Sequence, residues 1–120
     1  MTVFIQIIWA LLCVAWNAYG LWLISFGQKP IGPTASLTVA LLSIVFAVLF
    51  WVFHSKKLKL PYIILSALTA FLAAYAVYGG FIQEHSLWPS ESWRWFGIIL
   101  NGIGALAGIA AIAKAVKWVK

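Results

Sequence analysis

Four long runs of apolar residues, separated by three short polar segments, make up nearly the whole chain. The runs cover residues 3–26, 34–53, 62–83 and 95–113, and none of them contains Asp, Glu, Lys or Arg. A helix needs about 20 mostly apolar residues to cross a bilayer, and the alternating pattern of a membrane barrel strand is missing. The pattern therefore predicts an all-α integral membrane protein: four transmembrane helices in a compact bundle with short loops, forming a single domain over residues 1–120.

The segments between the runs contain residues that end or begin helices. Gly27 and Pro30 follow the first run, and Pro61 stands just before the third, where proline is tolerated in the first helical turn. Ser90 or Ser92 is available to cap the fourth helix. These residues agree with helix boundaries close to the ends of the apolar runs.

The composition excludes a water-soluble globule. Hydrophobic residues make up 65% of the chain and charged residues 8%, whereas soluble domains carry about 25% charged residues. The N-terminus lacks the basic segment of a signal peptide, so we expect the first span to be retained. Eight tryptophans are typical of a protein with aromatic belts at the membrane–water boundaries, and Trp88, Trp93 and Trp95 surround Arg94 in such a position.

The positive charges lie at the ends of the apolar runs. The net charge is +6, and cations in these places favour anionic lipid headgroups as partners over nucleic acid. Six cations belong to the second loop and the C-terminal end, against two in the other loops, so the positive-inside rule places both termini in the cytoplasm of a bacterial inner or plasma membrane. The candidate headgroup-binding residues are Lys56, Lys57, Lys59, Lys114 and Lys117.

Small and polar residues form stripes along the predicted helices. Small residues allow helix backbones to approach closely in lipid, and polar residues form hydrogen bonds across the contact. One interpretation is that the stripes hold a single bundle together, and the other is that one of them, most plausibly on the fourth helix, binds a second chain. The candidate packing or partner-interface residues are Gly97, Asn101, Gly104 and Gly108 on the fourth helix and Gln6 and Asn17 on the first.

No arrangement typical of catalysis or metal binding is visible. His54 and His85 are expected about 30 Å apart, at opposite membrane surfaces, and cannot share a metal ion. Glu84, His85 and Glu91 could gather around a cation, but their spacing matches no metal motif. Cys13 has no basic neighbour to activate it. We therefore expect no enzyme, no catalytic residue, no metal and no cofactor.

The function predicted from the sequence is association within the membrane. Chain length and helix number resemble those of the small multidrug resistance transporters, but that family depends on a glutamate in its first membrane helix, and this chain has none. We expect a small accessory or assembly subunit, or a scaffold, that binds another membrane protein or itself. The alternative is a small oligomeric transporter, channel or lipid-handling protein whose path lies between helices or protomers, with the intramembrane carboxamides lining it.

Overall fold

The computed structural model describes residues 1–119. Over these residues it contains four long α-helices: α1 (Thr2–Ser25), α2 (Leu37–Ser55), α3 (Lys59–Ile82) and α4 (Glu91–Ala115), with a single 3₁₀ turn at His85–Leu87. All four helices are long and apolar enough to cross a membrane by length and composition. The prediction of an all-helical, compact chain with four such helices is therefore confirmed.

Three of the helix starts lie three or four residues from the starts of the predicted apolar runs. α3 begins at Lys59 and not at residue 62, and a serine cap accounts for each of the other two. Ser36 Oγ accepts a hydrogen bond from the Val39 amide, so α2 begins at Leu37 and not at residue 34. Ser90 Oγ accepts one from the Trp93 amide, so α4 begins four residues before the apolar run at residue 95. Each cap satisfies a backbone N–H group that the first turn leaves without a partner.

The helices form two hairpins that lean on each other. α1 packs along α2, and α3 packs along α4; the hairpins meet mainly through α1 and α4, whereas α2 and α3 have the smallest of these four interfaces. We call the end that holds both termini and the turn between α2 and α3 the terminal end. The opposite end, which holds residues 26–36 and 83–90, is the loop end.

A buried hydrogen-bond network joins α1 to α3 in the terminal half. Gln6 Nε2 donates to Ser66 Oγ over 3.0 Å, and the Tyr62 hydroxyl donates to Gln6 Oε1. All three side chains are buried, so each polar group depends on the others for its partner. The network fixes the position of α1 against α3 where water cannot replace these bonds.

Aromatic rings close the terminal end. The Tyr62 and Trp118 rings stack with centroids 5.3 Å apart, and the His54 ring meets both of them edge-on at 5.6 Å. Lys59 Nζ donates to the Trp118 carbonyl oxygen (3.1 Å) and Lys57 Nζ lies 4.6 Å from the centre of the Trp118 ring. The C-terminal segment is thereby held against the turn between α2 and α3.

Candidate functional site: a cleft at the loop end

The glycine stripe of α4 is covered by other helices of the same chain. A Cβ atom added at Gly104 would overlap the Trp9 indole of α1, and one at Gly97 would lie 3.2 Å from the Trp16 ring. A Cβ at Gly108 would lie 2.6 Å from the Ala70 Cβ of α3. The missing side chains are thus what allow α1 and α3 to approach α4.

The two asparagines among the candidate residues both make hydrogen bonds within the chain. Asn101 Oδ1 accepts from Trp9 Nε1 (3.2 Å), and its amide group donates to the Gly97 carbonyl. Asn17 donates to the Cys13 carbonyl and accepts from the backbone amide of Ser36 (3.0 Å). Asn101 therefore connects α4 to α1, while Asn17 ties α1 to the start of α2.

A cleft of about 470 Å³ opens in the half of the bundle nearest the loop end. It is lined from both α2 and α3, which have the smallest of the four helix interfaces, and it reaches Trp9 and Asn101 at the level of mid-helix. Trp9 and Trp16 are seven residues apart, which places about 10 Å of the α1 axis along the cleft. Its volume is within the usual range of small-molecule sites.

The walls of the cleft are mostly apolar. Trp9, Cys13 and Trp16 line it from α1, Val39, Ser43 and Phe46 from α2, and Leu72, Tyr75 and Ala76 from α3. Val39, Leu72 and Tyr75 are exposed at the surface of the bundle, so the cleft opens sideways between α2 and α3. In a bilayer this opening would face lipid.

The rim of the cleft at the loop end is polar and contains one buried cation. Arg94 is 5% exposed and lines the cleft together with Gln83, Asn17 and Trp88. Its Nη1 donates to the Gly80 carbonyl (2.8 Å), while Nε and Nη2 donate to Glu91. The guanidinium also lies 4.9 Å from the centre of the Trp95 ring.

The tryptophans around Arg94 do not form one interfacial belt. Trp88 is buried (6% exposed), whereas Trp95 is 44% exposed. The Trp93 ring meets the Trp16 ring edge-on at 5.9 Å. Trp88 and Trp93 therefore pack within the loop end of the bundle.

The two histidines lie at opposite ends of the bundle, and both carboxylates lie at the loop end. His85 Nδ1 is 3.1 Å from Glu91 Oε2, and the same carboxylate bonds to Arg94. His54 lies at the terminal end, within the aromatic cluster. Over residues 1–119, no three His, Cys, Asp or Glu side chains come together in a way that could hold a metal ion.

Three of the five candidate headgroup-binding lysines contact other parts of the chain. Lys57 and Lys59 hold Trp118, as described above, and Lys114 Nζ donates to Thr2 Oγ1 over 2.6 Å. Lys56 and Lys117 are exposed. All five lie at the terminal end, which is consequently strongly positive.

The sequence patterns described above do not predict the roles of Trp9, Trp16 and Arg94. A tryptophan inside an apolar run, away from both ends, is a signal against an interfacial belt, and Trp9 and Trp16 are such residues. Arg94 lies just outside the apolar run that begins at residue 95, a position typical of an exposed cation. Its burial depends on the carbonyl of Gly80 in another helix, which no local pattern reveals.

Comparison with protein-family models, with curated proteins and with solved structures gave no match.

Proposed function

We propose that the chain is a multi-pass protein of a bacterial inner or plasma membrane with both termini in the cytoplasm. Four helices of sufficient length and hydropathy support membrane insertion. Six of the eight cations belong to the second loop and the C-terminal segment, which supports the orientation. On this orientation, the cleft lies in the half of the membrane away from the cytoplasm.

Within that membrane, the proposed function is to bind a lipid or another small amphiphile in the cleft. The observation that carries this proposal is the cleft itself: an apolar chamber of about 470 Å³ with a polar rim, open sideways between α2 and α3. Membrane lipids have the same polarity pattern, with a polar group at the interface and an apolar chain toward the middle. An amphiphile could enter from the bilayer without crossing water.

The lining of the cleft favours an amphiphile over a helix of another protein. It is apolar at Phe46 and Leu72 and polar at Gln83 and Arg94, a change of polarity that matches an acyl chain joined to a polar head. A flexible acyl chain can adapt to an irregular chamber, whereas a helix of another protein is rigid.

Obstructing the cleft tests the proposal. Ala76 lines the cleft from α3 and is exposed at its opening, so Ala76→Phe would place a ring at the opening. Ala74 of the same helix is also exposed but does not line the cleft and points about 160° away, so Ala74→Phe is the matched control. Native mass spectrometry in mild detergent should show retained lipid in wild type and Ala74→Phe and its loss in Ala76→Phe. Equal lipid retention by both folded variants would refute the proposal.

Association with another membrane protein or a second copy of the chain is the second candidate. It draws support from a shallow apolar groove between α1 and α2, lined by Phe4, Ile7, Ala47, Val48 and Trp51. Association would then use this groove, since the α4 stripe is covered by α1 and α3. Val48→Trp should abolish a detergent-stable oligomer, while Leu106→Trp on the exposed face of α4 should preserve it. An oligomer that persists in Val48→Trp would contradict association through the groove.

A further inference from the structure

The positive charge at the rim of the cleft is paired with a carboxylate that lies outside the cleft. The chain has only two acidic residues, Glu84 and Glu91, and neither lines the cleft. The Glu91 side chain is 54% exposed and approaches Arg94 from outside, while the Arg94 side chain is 6% exposed. The guanidinium is thus paired on its outer side and forms part of the cleft wall.

Arg94 has hydrogen-bond donors to spare. A guanidinium has five N–H groups, and three are accounted for: Nε donates to Glu91, one Nη2 hydrogen donates to Glu91, and one Nη1 hydrogen donates to the Gly80 carbonyl. One N–H remains on each terminal nitrogen. An N–H group on each terminal nitrogen can donate a charge-assisted hydrogen bond to an oxygen of a phosphate or carboxylate.

We infer that the cleft selects an amphiphile with an anionic head, a phosphate or a carboxylate, which Arg94 binds at the rim. This inference rests on the proposed function and names the chemical class of its ligand. Arg94 lies in the first turn of α4, near the expected membrane surface, and Phe46 and Leu72 lie deeper. A ligand with its head at Arg94 and its tail toward Phe46 has the orientation of a lipid in the same leaflet.

Removing the competing carboxylate gives a test that leaves the cleft wall intact. Glu91→Gln frees Nε and Nη2 of Arg94 from their charged partner, and Glu84→Gln makes the same change of charge at the same end without a contact to Arg94. The proteins are equilibrated in micelles containing equal amounts of dioleoyl phosphatidylglycerol and dioleoyl phosphatidylcholine. Cleft-bound lipid is counted by native mass spectrometry as the adducts that Ala76→Phe abolishes, which excludes lipid bound to the lysines of the terminal end.

The expected result is a ratio of phosphatidylglycerol to phosphatidylcholine about threefold higher in Glu91→Gln than in wild type, the size of effect that one partly exposed charge pair contributes. Glu84→Gln should leave the ratio near that of wild type, and Arg94→Gln should lower it below wild type, whereas Arg94→Lys should retain part of the preference. A ratio that is the same in Glu91→Gln and Glu84→Gln would overturn the inference.

Two further outcomes separate this inference from the proposed function. Adducts that disappear in Ala76→Phe but show no preference for phosphatidylglycerol in any variant would leave lipid binding in place and reject the anionic head. Displacement of phosphatidylglycerol by millimolar inorganic phosphate alone would show that Arg94 binds small anions, which contradicts selection of an amphiphile. Phosphate without an acyl chain is expected to displace none of it.

Discussion

The indole of Trp9 lies directly against Gly104, and its Nε1 donates a hydrogen bond to Asn101 Oδ1 over 3.2 Å. The two contacts come from one face of α4, one turn apart. A side chain at position 104 would occupy the space of the indole, so glycine there and tryptophan on α1 depend on each other. Trp9 and Asn101 also form the inner end of the cleft, because both residues line it.

Gly104→Ala should destabilise the folded protein. The added methyl group overlaps the indole, and overpacking of this kind costs about 1–3 kcal/mol. Gly102 on the same helix has nothing within 4 Å of an added Cβ, so Gly102→Ala should be neutral or slightly stabilising. Thermal unfolding in one detergent compares the two; equal midpoints would show that the indole can move aside at no cost.

Gln6→Leu should lower the free energy of unfolding, because it breaks the hydrogen-bond network between α1 and α3. The substitution leaves the buried Tyr62 and Ser66 hydroxyls without their partner, which costs about 1–3 kcal/mol for an unsatisfied buried group. Gln28→Leu, in the exposed first loop, is the control. If the network acts as a unit, combining Gln6→Leu with Ser66→Ala costs less than the sum of the two single changes; strict additivity in chemical denaturation would speak against it.

Cysteine labelling in a Cys13→Ala background tests the orientation of the chain in the membrane. Ser55 lies at the terminal end and Ser86 at the loop end, and both are exposed. An impermeant thiol reagent added to intact cells should label Ser86→Cys and spare Ser55→Cys. The reverse pattern would place the termini outside the cytoplasm.

The lysines of the turn between α2 and α3 should attract anionic lipid to the terminal end. Each contributes about 1 kcal/mol near a negatively charged surface, so combined substitution of Lys56, Lys57 and Lys59 by Gln should reduce bound phosphatidylglycerol markedly. Lys29→Gln, in the first loop, should have little effect. Because Lys57 and Lys59 also hold Trp118, near-ultraviolet circular dichroism checks that the C-terminal segment stays in place. Unchanged lipid retention would leave these lysines as topology signals only.

All four helices could be predicted from the sequence, because each one follows from the apolar residues of its own segment. The apolar runs predict all four, and of the two possible caps for α4, Ser90 and Ser92, it is Ser90 that accepts the hydrogen bond from the Trp93 amide. The face shared by Gly97, Gly104 and Gly108 was also visible from helical spacing. The partners of that face were not, since Trp9, Trp16 and Ala70 lie on other helices and periodicity says nothing about which helices meet.

The cleft could not be predicted for a related reason. It lies between α2 and α3, whose interface is the smallest of the four, while the Gln6 network and the Trp118 cluster join helices at the terminal end. How closely two helices pack is a property of the whole packing arrangement. The residues that line the cleft look locally like ordinary membrane helix, and the burial of Arg94 depends on the Gly80 carbonyl of the neighbouring helix.

The most direct measurement for the central claim is photolabelling with phosphatidylglycerol that carries a diazirine in its acyl chain. After illumination of the protein in nanodiscs containing this lipid, peptide mass spectrometry locates the attachment sites. The account predicts labelling of cleft residues that are not exposed at the bundle surface, such as Cys13, Ser43 and Phe46. Labelling confined to lipid-facing residues, such as Leu41 and Phe71, would contradict it.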